Sequence, residues 1–179
     1  SGFLVVAGED LKEKKKEEIF YDKKKKDHYM NHMFHGYDMD RTMLRIGAMN
    51  MMTHGIDNPF IEYRDSLSDQ NQDKEQYSLV LANPPFKGSL DAESVSGDLL
   101  KVCKTKKTEL LFLTLFLRIL KIGGRCACIV PDGVLQRACD DWYSGVVRCV
   151  RAVCIKRIYE YIFTSVRNII VSGHSGGKT

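Results

Sequence analysis

The stretch Tyr77-Ser-Leu-Val-Leu-Ala-Asn-Pro-Pro-Phe-Lys-Gly-Ser-Leu90 decides how the rest of the chain is read. An apolar run, Leu79 to Ala82, leads into Asn83-Pro84-Pro85-Phe86, after which the sequence turns polar. Such a run, bounded by proline and glycine, predicts a buried strand. The two prolines end it, because neither can donate to a sheet ladder. An amide, a rigid turn and an aromatic ring are therefore held at the end of a strand.

Working outward, "MFHGYDMD" (33–40) predicts a short strand ending in acidic residues, and Asp40 an N-cap for a helix over "RTMLRIGAMNMMTHG" with Gly55 as its stop. The methionines of that helix are expected in the core. "FIEYRDSL" (60–67) alternates as a strand does and ends near Asp65. Residues 108–121, "TELLFLTLFLRILK", are apolar almost all round and predict a buried helix broken by Gly123-Gly124, with "RCACIVP" as a fourth strand. Strand–helix–strand units in this order imply parallel pairing and a doubly wound α/β sheet. In such a sheet ligands bind beyond the carboxyl ends of the strands, where Asp38, Asp65 and Asn83 fall.

With 179 residues, 44% of them hydrophobic and 28% charged, the chain has the size and balance of a domain with its own core. A net charge of +4 permits a polyanionic partner without requiring one. Phe3 to about Glu18 has helical spacing. The eight lysines among residues 12–26 are interspersed with acids, which favours a solvated helix end and loop over a phosphate-facing patch. The six cysteines contain no C-x-x-C pair, and Cys126 and Cys128 alternate onto one strand face, so reduced cysteine in a cytosolic protein is expected. No apolar stretch reaches membrane-span length. His28, His32 and His35 share a helical spacing but have no acidic or cysteine partner in sequence that would complete a metal site. They are expected at the surface or in loops, and no metal is expected.

The strand-end groups suit one chemistry. An amine conjugated to an aromatic ring is a poor nucleophile because its lone pair is delocalised. If Asn83 Oδ1 and the Pro84 carbonyl accept its two N–H bonds, the nitrogen becomes more tetrahedral and its lone pair is freed to attack. Phe86 offers a face on which a flipped base stacks. Asp38 suits a pair of ribose hydroxyls and Asp65 the exocyclic amine of an adenine.

The quartet Asn83-Pro84-Pro85-Phe86 is the signature of amino-group methyltransferases that use S-adenosylmethionine. Residues 1–135 resemble, more closely, the modification subunit of type I restriction systems. The resemblance is carried by "SGFL", "HGYDMDRTMLRIGAMNMMTHGIDNP", "IEYRDSLS", "LVLANPPFKGSLD", "LLKVCKTKKTELLFLTLFLRILKIGGR" and "IVPDGVL". It implies a partial Rossmann-like methyltransferase fold over residues 1–135. Gly2 would be the tail of the glycine-rich cofactor loop and Asp38 the ribose ligand. Met39 would pack on the adenine, Asp65 would meet its amine, and Phe112 would close the other side. Met39 and Phe112 also read as plain core. The implied reaction is methylation of adenine N6 in double-stranded DNA, in the cytoplasm, alongside a DNA-recognition subunit and a restriction subunit. Methylation of another amine, and a non-catalytic assembly module, remain as alternatives.

Two departures qualify the resemblance. Only Ser1-Gly2 of the glycine loop is present, so the chain reads as a fragment, inactive alone, with an apolar sheet edge left open. After Leu135 the pattern changes, and 136–179 reads as a divergent segment, from a shifted frame or natural divergence. Its end, "IIVSGHSGGKT", resembles a phosphate-binding loop after a strand, but Ser172 stands where the first glycine belongs, so chance or a family-like turn is the favoured reading.

Overall fold

The computed structural model describes residues 2–85 and 94–129, and the backbone of 169–172. Helices α1 (Gly2–Lys14), α2 (Lys16–Phe20) and α3 (Lys23–Asn31) precede strand β1 (Phe34–Asp38). Helix α4 (Arg41–Thr53) leads to β2 (Phe60–Tyr63), and β3 (Tyr77–Ala82) is followed by α5 (Gly97–Val102) and α6 (Thr108–Ile119). Strands β4 (Leu120–Cys128) and β5 (Ile169–Ser172) complete a sheet of order β2-β1-β5-β3-β4, and all its pairings are parallel.

Period-two alternation along β3 divides the core between the two faces of the sheet. Leu79 and Leu81 join Leu4, Ala7 and Leu11 of α1 with Tyr29, Phe34 and Met51. Val80 and Ala82 join Leu111, Phe112, Leu115 and Phe116 of α6 with Tyr37 and Tyr77. Burying an aliphatic side chain of this size contributes about 1.5–3 kcal/mol, so the two clusters are the main force holding helices to sheet.

The lysine-rich stretch is helical rather than a loop. Lys and Glu are good helix formers, and Asp22 caps α3 by accepting from Lys24 N (2.8 Å) and Lys25 N (3.3 Å). Lys15 and Lys25 both reach Glu18, at 3.1 and 2.9 Å, and Lys14 reaches Asp10 at 2.7 Å. Two inward residues anchor the stretch: Ile19, and Tyr29, whose hydroxyl donates to Gly8 O at 2.9 Å. A Cβ at Gly8 would lie 2.9 Å from Ile56 Cδ1, so glycine is what admits this close approach.

Asp40 caps α4 as its position predicts, accepting from Thr42 N (2.7 Å) and Met43 N (3.3 Å), and Gly55 follows the helix at φ +82°. The methionines differ from expectation. Met51 is fully buried, but Met43, Met49 and Met52 are exposed together with Ile46, because α4 turns only the Gly47 and Met51 side inward. The glycine pair also acts elsewhere than expected. Helix α6 ends at Ile119, and Gly123-Gly124 lie within β4, where the β3–β4 register shifts between Tyr77 and Leu79. Gly123 has φ +80°, and a Cβ at Gly124 would come within 2.8 Å of Lys121 O and 3.2 Å of Tyr77 O. Strand β5 lies between β1 and β3 and pairs with both.

Candidate active site at the carboxyl edge of the sheet

The five parallel strands share one carboxyl edge, and most of the strand-end residues gather along it. Tyr37 of β1 and Ala82 of β3 are each in register with Ser172 of β5, so Asp38 and Asn83 each stand one residue beyond that level, on either side of β5. Two strand spacings separate them, about 10 Å.

Each polar group is held by local backbone chemistry. Asp38 Oδ1 accepts from Asp40 N at 2.9 Å, which ties the strand end to the cap of α4 and leaves Met39 half-buried between them. Asp38 O accepts from Arg64 N at 3.2 Å, bringing the exit of β2 beside that of β1. Asp65 follows, half-buried, its Oδ1 accepting from Leu67 N at 3.0 Å and its carbonyl from Ser68 Oγ at 3.1 Å. At the exit of β3, Ile129 N donates to Ala82 O at 3.1 Å. Pro84 is buried and Pro85 half-buried, whereas Asn83 is exposed. A rigid, anchored turn thus presents one amide to solvent at the sheet edge.

Two further residues take different places. Gly2 opens α1 and is exposed, and a Cβ there would meet nothing within 4 Å. Glu9 of α1 lies 3.8 Å from His54, which ends α4 at the amino edge, so α1 runs toward that edge and Gly2 lies back toward the carboxyl one. Phe112 is 2% exposed in the α6 core, its ring 6.0 Å from that of Phe116. Phe86 lies outside the described residues.

The three histidines separate. His28 and His32 stack with centroids 6.5 Å apart and His32 Nε2 lies 3.6 Å from Asp27, while His35 sits on β1 between Phe60 and Tyr77. Among the described residues no three His, Cys, Asp or Glu side chains group as metal ligands would. None of the described helices is long and apolar enough to cross a membrane. Cys126 and Cys128 do share a face of β4, half-buried. Their mutual hydrogen bond raises the Cys126 thiol, with burial adding to it, and lowers that of Cys128.

One cluster escapes sequence reasoning. The Tyr37 and Tyr77 hydroxyls are 2.7 Å apart, linking β1 to β3 past β5. With one proton each, the two hydroxyls share three short contacts, to each other and to Asp73 Oδ2 at 3.1 and 2.9 Å, and Arg64 donates to the same oxygen at 3.1 Å. Arg64 also reaches Glu62 at 2.9 Å and lies 4.2 Å over the Tyr37 ring. Burial pushes Tyr37 up to about 12 and Tyr77 further, so both hydroxyls keep their protons. Period-two spacing directs Tyr37 inward, but nothing in sequence points it at Asp73.

Comparison with known proteins gives a family for the chain. A family model described as N-6 DNA methylase matches residues 1–142. The chain is 28% identical over 181 residues to the type I restriction enzyme EcoEI methylase subunit of Escherichia coli, covering 99% of this chain and 34% of that protein. It is 27% identical over 140 residues to the StySPI methylase subunit of Salmonella potsdam, covering 75% of this chain and 26% of that protein. Over 108 residues it is 29% identical to the type II methyltransferase M.VspI of Vibrio sp. (strain 343), covering 58% of this chain and 26% of that protein. The chain therefore spans about a third or less of the length of these relatives. No solved structure matches it.

Proposed function

The chain belongs to the N-6 DNA methylase family, and from that premise we propose that it is catalytic-domain sequence of a type I restriction–modification methylase subunit. The reaction is methylation of adenine N6 in double-stranded DNA, in the cytoplasm, beside a DNA-recognition subunit and a restriction subunit. The observation that carries this reading is Asn83, exposed on a proline turn at the carboxyl edge, across β5 from Asp38. A Rossmann-like methyltransferase fold is the reading that best fits a parallel sheet with helices on both faces.

The donor set suits S-adenosylmethionine, which when bound supplies a methyl group already activated by its positive sulfur. Asp38 accepts from the ribose hydroxyls, while its bond from Asp40 N keeps the carboxylate aimed. Met39 lies against the adenine of the cofactor, and Asp65, fixed by Leu67 N, accepts from its exocyclic amine. Gly2 belongs to the wall beside the methionine portion. Phe112 contributes from within the core, in one cluster with Val80 and Ala82 of β3. Asn83 Oδ1 and Pro84 O accept the two N–H bonds of the target adenine, concentrating its lone pair on nitrogen, and Phe86 stacks on the flipped base. Pro84 and Pro85 hold the acceptors in place before the amine arrives, so no reorganisation is needed at the moment of attack.

The test is nucleoside mass spectrometry on DNA from a host without adenine methylation, expressing the full gene product with its recognition subunit. N6-methyladenine is expected, and Asn83→Ala should lower it at least about 100-fold, the scale of losing one aimed polar group. Absence of the modified base with both wild-type proteins expressed and soluble would overturn the reading.

A further inference from the structure

Asp38 and Asp65 stand on neighbouring strand exits, and the residue before each one reaches across to the other exit. Tyr37, buried, precedes Asp38, and Arg64, half-buried, precedes Asp65. The paired part of β1 and β2 ends at Asp38↔Tyr63, and the bond from Arg64 N to Asp38 O carries the contact one residue further. There the Arg64 guanidinium lies 4.2 Å from the centroid of the Tyr37 ring. Its Nη1 donates to Asp73 Oδ2 at 3.1 Å and its Nη2 to Glu62 Oε2 at 2.9 Å. One side chain is thus anchored to β1 through Tyr37, to β2 through Glu62 and to the following loop through Asp73. A planar cation laid on a ring and held at both terminal nitrogens has little freedom left.

We propose that Arg64 is a positioning residue for the cofactor: stacked on Tyr37 and forked between Asp73 and Glu62, it sets the spacing of Asp38 and Asp65. The inference rests on the methyltransferase reading, in which those two carboxylates meet the ribose hydroxyls and the adenine amine of one ligand. The adenosine part of that ligand is nearly rigid, so its two acceptors must stand at a matched distance before it arrives. Their own ties are local, Asp38 to Asp40 N and Asp65 to Leu67 N, and each stays within its own exit. The link between the exits is Arg64. Its bond to Asp73 also closes the loop that carries Asp65. Fully buried Asn71 braces that loop from inside, donating to Ser66 O at 2.9 Å and accepting from Asp73 N at 3.1 Å. Lysine would not serve here, because a point charge has neither a face to stack nor a fork to share between two carboxylates.

The test is steady-state kinetics on the full gene product with its recognition subunit, varying S-adenosylmethionine and DNA separately, with calorimetry for S-adenosylmethionine binding. Arg64→Ala should raise both KM and Kd for S-adenosylmethionine at least about 10-fold, with a much smaller change in kcat at saturating cofactor. A residue that only supported folding would do the reverse, lowering apparent kcat through the folded fraction and leaving KM alone. Arg64→Lys should lie nearer to Arg64→Ala than to the wild type. Tyr37→Leu, which removes the ring face, should raise the same KM, and Tyr37→Phe, which keeps the ring, should restore it to within about 3-fold of wild type. The double variant Arg64→Ala/Tyr37→Leu should bind no more weakly than the worse single one, because both remove one contact. An unchanged KM for S-adenosylmethionine in Arg64→Ala and Tyr37→Leu, or a loss confined to kcat, overturns the inference alone. A wild type that binds no S-adenosylmethionine overturns the methyltransferase reading and this inference with it.

Discussion

The two faces of the sheet bury similar amounts of side chain by different means. The α1 face is apolar, aliphatic residues packed with the Tyr29 and Phe34 rings, and the Tyr29 hydroxyl, satisfied by Gly8 O, is a polar contact within it. The α6 face carries a part-buried cluster in which Tyr37, Tyr77 and Arg64 all close on Asp73. Aliphatic packing tolerates substitution of similar volume, because dispersion and burial are not directional. A shared acceptor does not, because removing it strands every donor that pointed to it. The α6 face is therefore where β1 and β3 are held in one alignment, and the α1 face is where bulk stabilisation comes from.

This contrast can be broken most sharply at its polar end. Asp73→Ala should lower unfolding stability by about 2 kcal/mol, since it removes an acceptor shared by Arg64 and the tyrosine pair in a part-buried place, while Arg64 keeps Glu62 and the two hydroxyls keep each other. Chemical denaturation would measure it, and a loss below about 1 kcal/mol would mean that the cluster contributes no more than an ordinary hydrogen bond. On the other face, Leu4→Met, a swap of similar volume at a fully buried site, should cost less than about 1.5 kcal/mol. Tyr29→Phe should cost about 1 kcal/mol by removing the bond to Gly8 while keeping the ring.

The smallest expected effect is a pH dependence confined to the α6 side. Burial lowers the His35 pKa from its ordinary value, against the raising effects of the His32 carbonyl, Asp73 and Glu62, with His28 adding a little to the lowering. The unfolded chain therefore binds the proton more readily than the folded one. Stability from this group is fully present above about 6.5 and is lost as pH falls from there toward the folded pKa. Thermal melts of wild type and His35→Gln across pH 7.5 to 5 should converge as the pH falls. Parallel curves would assign the acid lability elsewhere.

Much of the frame was legible in sequence because its signals are local. The apolar run ending in Asn83-Pro84-Pro85 marks β3 and its exit, Asp40 marks the start of α4, and Gly55 marks its end, each through the conformational preference of one or two residues. Alternation alone puts Cys126 and Cys128 on one side of β4. The polar residues at strand ends were visible for the same reason, since an acid or amide directly after a buried strand has few places to be. The apolar part of "IIVSGHSGGKT" is β5, while the glycine-bearing remainder lies outside the described residues.

What sequence did not disclose depends on partners distant along the chain. The lysine-rich segment is helical because Tyr29 finds Gly8 and Ile19 joins the same core. The exposed methionines of α4 follow from which narrow side of that helix meets the strands. The joining of Tyr37, Tyr77, Asp73 and Arg64 needs two strands and two loops in place at once. The sequence by itself determined the existence and order of β1, α4, β2, β3 and α6 and the polar groups at the ends of β1, β3 and α4, because those are contests between neighbouring residues, whereas the ends of α1, α6 and β4 were not legible in it. Only the tertiary structure decided which strand lies at the centre of the sheet, since the register of Ile169–Ser172 with both β1 and β3 joins residues far apart in the chain.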